Sequence, residues 1–194
     1  MGKLNSDVCS YLVVKHGATY LRIGRFNGSN FSGMREIRVA QSDNWRGWCW
    51  DGETASYLAV LGGITRLYVR AFDGYNFSTV RVTEEVALEN DNWRGWSWDG
   101  KTASYIAKMN GATNLYIRTF NGRDFSSEYK TITLSNDEDN FLGWSWDGER
   151  ASYLKRIGGE VKLYIRRFRG VTFGDEEKVV SVEKGIISWD WGSK

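Results

Sequence analysis

The chain has 194 residues, 41% of them hydrophobic and 26% charged, which is enough to bury a substantial core. Its formal charge is only +2, with Lys and Arg interleaved among Asp and Glu, so neither nucleic acid nor a polybasic membrane contact is expected. No apolar run reaches the roughly 20 residues of a membrane span. The opening MGKLNSDVCSYLVV has no leader pattern, and two cysteines make no disulfide framework. An intracellular protein is the expectation, with leaderless export as the alternative.

In chain order, the predicted elements are short strands. The sequence enters on Cys9-Ser10-Tyr11-Leu12 and continues through LRIGRFNG (21–28). The segment SDNWRGWCWDGETASY (42–57) follows and recurs almost unchanged as NDNWRGWSWDGKTASY (90–105), then as EDNFLGWSWDGERASY (138–153). Asp51, Asp99 and Asp147 are spaced 48 residues apart. LRIGRFNG likewise returns as LYVRAFDG (67–74), LYIRTFNG (115–122) and LYIRRFRG (163–170). Each unit reads as four strands, for example Gly95–Trp98, 103–109, 114–120 and 129–134. They are rich in β-branched and aromatic residues and separated by Asp-Gly or Asn-Gly turns.

Four strands per unit of about 48 residues predicts an all-β, four-bladed β-propeller with four antiparallel strands per blade. The repeats divide as 7–42, 43–90, 91–138 and 139–185, with a closing strand over 186–191. That strand, IISWDW, supplies the first strand that the opening unit lacks, and the whole of 1–194 reads as one propeller domain. A ring closed within one monomer is expected, with an eight-bladed ring of two chains as the alternative. Aligned by its aspartate, the closing copy places Asp190 with Asp51, Asp99 and Asp147.

The run S-W-D-G-x-x-A-S-Y, followed by a glycine turn and L-Y-[IV]-R, resembles the repeats of TolB-type and other WD40-like propellers. Ser97, Asp99, Gly100, Tyr105, Leu115 and Tyr116 match that pattern, while Trp98 stands where those repeats usually carry proline. The resemblance implies an architecture that serves mostly as a binding platform, and it transfers no catalytic residue. A looser likeness, in composition and repeat length, is to small Trp-rich propeller lectins.

The paired tryptophans (Trp48/Trp50, Trp96/Trp98, Trp144/Trp146) lie two residues apart and share a face, so they are expected to pack between blades. The aspartates are expected to cap their own turns rather than ligate metal, because one per repeat is too few for a hard cation. Arg70, Arg118 and Arg166 are expected to pair with acids such as Glu84, Glu85 or Glu176. Cys9 and Cys49 read as small buried residues. His16 falls in a hairpin turn, with no catalytic partner apparent and no nucleophile motif or phosphate loop elsewhere, so no enzyme activity, metal or cofactor is expected.

The sharper candidates are the links between blades: Asn44, Trp45 and Arg46; Asn92, Trp93 and Arg94; and Asn140 with Phe141. An aromatic platform beside an amide and a guanidinium suits a sugar ring, and the same trio suits a protein hot spot. The competing reading is a latch in which Trp45 packs inward. The fourth link, Val182–Gly185, lacks the trio, so two or three sites are expected. The expected function is therefore a non-catalytic, lectin-like module that binds a glycan through these links. A protein-interaction scaffold or assembly component is the alternative, and the expected ligand is hence a carbohydrate or a protein.

Overall fold

The computed structural model describes residues 7–79, 82–88, 93–109, 111–135 and 141–191. They form sixteen strands in four antiparallel sheets and, among the described residues, no helix. One sheet holds β4 (Trp45–Trp50), β5 (Thr54–Leu61), β6 (Ile64–Ala71) and β7 (Val82–Leu88). The next holds β8 (Trp93–Trp98), β9 (Thr102–Met109), β10 (Ala112–Phe120) and β11 (Phe125–Ser135). A third holds β12 (Phe141–Trp146), β13 (Arg150–Ile157), β14 (Glu160–Phe168) and β15 (Phe173–Ser181). In the first blade, β16 (Ile186–Trp191) pairs with β1 (Val8–Lys15), which continues to β2 (Ala18–Phe26) and β3 (Phe31–Ala40). The closing strand therefore completes the blade at the other end of the chain, with Cys9 opposite Trp191 and Tyr11 opposite Trp189.

All ten tryptophans lie on the four inner strands β4, β8, β12 and β16. Trp48, Trp96, Trp144 and Trp189 are fully buried. Each donates its indole N–H across the seam to a serine on the second strand of the preceding blade. The acceptors are Ser10, Ser56, Ser104 and Ser152, every one at 2.8 Å. Burying about 200 Å² of indole at about 25 cal/mol/Å² stabilises by roughly 5 kcal/mol as an upper bound. The hydrogen bond removes the cost of hiding the N–H and fixes how far one blade stands from the next. Two residues on, Trp50, Trp98, Trp146 and Trp191 donate to the carbonyls of Phe72, Phe120, Phe168 and Phe26 in their own blades.

The face of the inner strand opposite the tryptophans carries small residues because the next blade presses on it. A Cβ on Gly95 would lie 2.6 Å from Trp144 Cβ, and one on Gly143 would lie 2.9 Å from the Trp189 nitrogen. Beside each glycine, a polar residue reaches the following blade. Trp98 donates its N–H to Cys49 Sγ (3.4 Å), Trp146 to Ser97 Oγ (3.1 Å) and Trp191 to Ser145 Oγ (3.1 Å), and Trp50 closes the circle on Asp190 Oδ2 (3.0 Å). Ser145 Oγ also donates to Asp190 Oδ1 at 3.1 Å.

Asp190 thus belongs with Cys49, Ser97 and Ser145, buried inside the ring, and not with the turn aspartates as alignment on Asp suggests. Asp51, Asp99 and Asp147 cap their turns as expected. Each Oδ1 accepts two backbone N–H groups, from Glu53 and Thr54, from Lys101 and Thr102, and from Glu149 and Arg150.

The third-strand arginines also differ from expectation. Arg70, Arg118 and Arg166 grip main-chain carbonyls of Ser78, Ser126 and Gly174 through Nε and Nη2, and each lies over Phe77, Phe125 or Phe173. A carbonyl at the start of the outer strand needs a fork-shaped donor there, and the aromatic ring takes the guanidinium face. Glu85 pairs instead with Arg66 at 2.9 Å. The side chain of Glu176 lies outside the described residues.

Candidate functional site

The links form one end of the ring, together with the hairpins joining second to third strands. Their aromatic residues are turned inward. Trp45 is 8% exposed and lies flat on Tyr57 at 3.9 Å and 5°; Trp93 is 7% exposed and lies on Tyr105 at 3.8 Å and 12°. Tyr57 and Tyr105 in turn stack on Tyr68 and Tyr116. Phe141, also buried, leans on Tyr153 at 5.4 Å. Asn44 is occupied too: its Nδ2 donates to the Val60 carbonyl (2.7 Å), and its Oδ1 accepts from Ser42 Oγ (2.6 Å). Asn92 and Asn140 lie outside the described residues. The open indole platforms expected on the links are therefore not present: both indole planes are covered by tyrosines, and Asn44 latches β4 to β5.

What the links do offer comes from a backbone irregularity. In β4, Trp45 pairs with Ala59 and Gly47 with Leu58, which leaves Arg46 as an extra residue. The same bulge recurs in every inner strand and leaves over Arg94 in β8, Leu142 in β12 and Ile187 in β16. A bulge re-aims the side chain it carries. Here all four extra side chains line one cavity of about 480 Å³ at the mouth of the ring, with Trp45, Phe141 and Arg156 completing its wall. Of the residues predicted as a site, Trp45, Arg46, Arg94 and Phe141 come together in this single cavity, whereas Trp93 and Asn44 stay out of it. Repeated separate sites give way to one shared mouth.

Three of the described side chains that line the mouth are charged. Arg46, Arg94 and Arg156 line it and, among the described residues, no aspartate or glutamate does. The Arg46 guanidinium is steadied by backbone carbonyls, through Nη1 to Asp43 O at 2.6 Å and Trp45 O at 3.3 Å. These contacts orient the group without neutralising it. By contrast, a larger cavity, about 880 Å³, is a groove lined by Asp147, Glu149 and Glu177 as well as Arg150, Arg166, Arg167 and Lys178, so its charges largely compensate. The mouth is the smaller cavity and the better candidate.

The closing blade differs at the same level. Where its sister blades stack a link aromatic on a tyrosine pair, Tyr11 donates to Glu183 Oε1 at 2.5 Å, and Arg22 takes the place of the second tyrosine, 3.4 Å from Glu183 and 2.9 Å from Glu36. Burial and the Glu183 carboxylate hold the Tyr11 phenol well above its ordinary range. Among the described residues no group of three or more His, Cys, Asp or Glu stands where it would hold a metal ion. No helix is long and apolar enough to cross a membrane.

No protein-family description matches the chain, and no curated protein is similar to it in sequence. Among solved structures it is similar to TolB from Acinetobacter baumannii, with 18% identity and a TM-score of 0.45 over 87% of this chain and 41% of that one. It is also similar to a chain of a nidogen/laminin complex, with 9% identity and a TM-score of 0.46 over 92% of this chain and 64% of that one. The chain thus spans less than two thirds of either. These likenesses are of fold alone, and the propeller itself rests on the four sheets described above.

The signal that sequence reading missed is the bulge. It shows only as one additional residue between Trp45 and Gly47, and a single spacing carries little weight without the partner strand beside it. Arg156 was missed as well, because its unit-mates are Val60 and Lys108 and nothing marks it as a mouth residue until β13 is placed next to β12.

Proposed function

We propose that this protein is a non-catalytic binding module that engages a protein partner through the link end of the ring, with the axial mouth as the specificity element. The observation that carries this reading is the convergence of four bulged residues, one per inner strand, on a single arginine-bearing cavity. Two apolar side chains on hairpins at the same end, Leu61 (44% exposed) and Ile157 (51% exposed), add hydrophobic contact around it. Apolar contacts beside a polar, arginine-bearing pocket fit the anatomy of protein interfaces, where arginine recurs at hot spots.

A carbohydrate ligand is the second reading, favoured by Trp45 and Phe141 in the cavity wall. It is the weaker one, because stacking a sugar needs an open ring face and both tryptophan platforms are covered.

The test compares two surface variants. Leu61→Glu with Ile157→Glu alters the link end, and Tyr75→Glu alters the opposite end, where Tyr75 lies in the β6–β7 connection. Proximity crosslinking in the source cells should lose its protein partners with the first and keep them with the second. Loss only with Tyr75→Glu would place recognition on the other end. A glycan array giving saturable quenching of tryptophan fluorescence, with no protein crosslinked, would transfer the assignment to the carbohydrate reading.

A further inference from the structure

We propose that the link end of the fourth blade is a seat for an extended segment of a protein partner, which pairs with the start of β14 where the outer strand β15 stops short. The seat rests on the preceding reading for the claim that the partner is a protein, and it names the form in which that partner is recognised.

The cause is a short link. Ile37, Glu84, Ile132 and Val180 hold the same place on their outer strands, opposite Leu21, Leu67, Leu115 and Leu163. Trp45 follows Ile37 by eight positions, Trp93 follows Glu84 by nine and Phe141 follows Ile132 by nine, but Ile186 follows Val180 by only six. With the longer links, the outer strand makes one bulge and then resumes its pairing. Ala40 lies opposite Thr19, Ala87 opposite Thr65 and Ser135 opposite Thr113. In the fourth blade the pairing ends at Lys162 and Ser181. Val161, the counterpart of those threonines, keeps Arg156 on β13 but has no strand partner on its outer side among the described residues. Glu183, the residue in line to face it, turns instead to Tyr11 and Arg22 of the first blade. The chain therefore forks, and the fork encloses a cavity of about 640 Å³ between residues 159–162 and 181–185. That volume lies within the range of roughly 300–1,000 Å³ typical of ligand pockets.

Burial at this position runs opposite to side-chain polarity. Thr19, Thr65 and Thr113 carry hydroxyls yet are at most 2% exposed, because the outer strand covers them. Thr19 Oγ1 also clips the link by donating to the Ser42 carbonyl at 2.6 Å. Val161 has no hydroxyl for such a clip, and it is left half-buried with Val182 on the cavity wall. A β-branched apolar side chain at the one uncovered position suits a site whose cover arrives with another chain. The sister blades show the form of that cover: an antiparallel strand with a small residue, Ala40, Ala87 or Ser135, opposite the third strand. In strand addition of this kind, main-chain bonds give affinity and the alternate side chains give specificity.

The probe is the segment that provides this cover in the first blade. A capped peptide of residues 37–42, Ile-Arg-Val-Ala-Gln-Ser, is titrated into the full chain and followed by backbone amide signals in NMR. Saturable shifts are expected at 160–162 and 181–185. A peptide with proline at its third and fourth positions should bind at least about tenfold more weakly, since it cannot donate along the ladder. Val161→Asp should weaken the parent peptide at least about tenfold by setting a charge beneath the strand. Tyr75→Glu, at the other end of the ring, should change nothing. Thermal midpoints are measured alongside; if Val161→Asp fails to fold, Val182→Asp replaces it. The proposal is overturned by absence of saturation, by shifts spread equally over the outer strands of the other blades, by a proline peptide that binds as tightly, or by aspartate variants that bind like the parent. If the peptide fails while the Leu61 and Ile157 substitutions still abolish crosslinking, the seat falls and the wider protein-binding surface stands. If the peptide binds at the fork while crosslinking is indifferent to those substitutions, the seat stands and the wider surface falls.

Discussion

Strands β12 and β16 carry the same Ser-Trp-Asp triplet, at 145–147 and 188–190, yet the two triplets do different work. In β12 the aspartate lies outside the strand and caps the turn to β13, while Ser145 reaches into the next blade. In β16 the triplet is displaced by two residues. Trp189 takes the place of Trp144, as its bond to Ser152 repeats the bond of Trp144 to Ser104, and Asp190 takes the place of Ser145. A slip of two preserves which face each side chain occupies, so hydrophobic alternation does not forbid it. Register is instead set by the indole that must meet a serine across the seam. The lesson is that in a closed ring the neighbour decides the alignment, and the most conspicuous motif in the linear sequence is a poor guide to it.

Four experiments bear on that contrast. Removing residues 186–194 should have the largest effect, because β1 loses its inner partner and the ring loses Trp189 and Trp191. Cooperative thermal unfolding followed by circular dichroism should disappear; a retained sharp transition would mean that β16 is not integral to the ring. Asp190→Ala should cost about 3 kcal/mol, since it strands the Trp50 N–H in a buried site and leaves the Ser145 hydroxyl only the longer bond to the Trp191 carbonyl. Asp147→Ala, which removes an exposed cap, should cost only about 1 kcal/mol. Asp190→Ser, which restores the residue of the sister blades, should recover most of the difference. Equal losses from Asp190→Ala and Asp147→Ala in urea denaturation would refute the shifted alignment.

A smaller effect is expected at Cys9, where burial foremost, then Asp190 and Asp7, push the thiol from 9.0 up to about 12. A raised value keeps the thiol protonated and inert at neutral pH. Its contribution to stability is whole below pH 9.0 and is lost as the pH climbs through about 12. Cys9→Ala, the residue found in the sister blades, should flatten the alkaline fall in stability, and native Cys9 should resist alkylation at pH 8. The smallest change concerns His16, the only non-glycine among the described residues with positive φ, at 50°. Its structural counterparts in two sister blades are Gly62 and Gly158, each the first residue of the same two-residue turn. His16→Gly should raise stability by about 0.5–1 kcal/mol by relieving the strained backbone, read as a rise in melting temperature.

The blades were legible in the sequence because their determinants are local. The Asp-Gly and Asn-Gly turns, the alternating strands and the paired tryptophans all repeat within a few residues of one another, and the absent first strand at the amino end announced the closing one. The site was legible only in part. Trp45, Arg46, Arg94 and Phe141 drew attention as a composition, but whether an indole faces outward depends on Tyr57 or Tyr105, residues brought to it by pairing with the next strand. Leu142, Ile187 and Arg156 carry no signal of their own; they matter because a bulge or a neighbouring strand places them on the axis.

The pairing of Cys9 with Trp191 and Tyr11 with Trp189 also governs how the molecule comes into being. During synthesis the second, third and fourth sheets have all their strands before β16 is made, while the first waits with β1 bare until β16 arrives. During that interval the nascent chain presents an unpaired strand and an empty berth for two indoles. Closure of the ring must therefore follow synthesis of β16, and conditions that slow synthesis of that stretch or crowd nascent chains together should favour capture of the vacancy by a neighbouring chain.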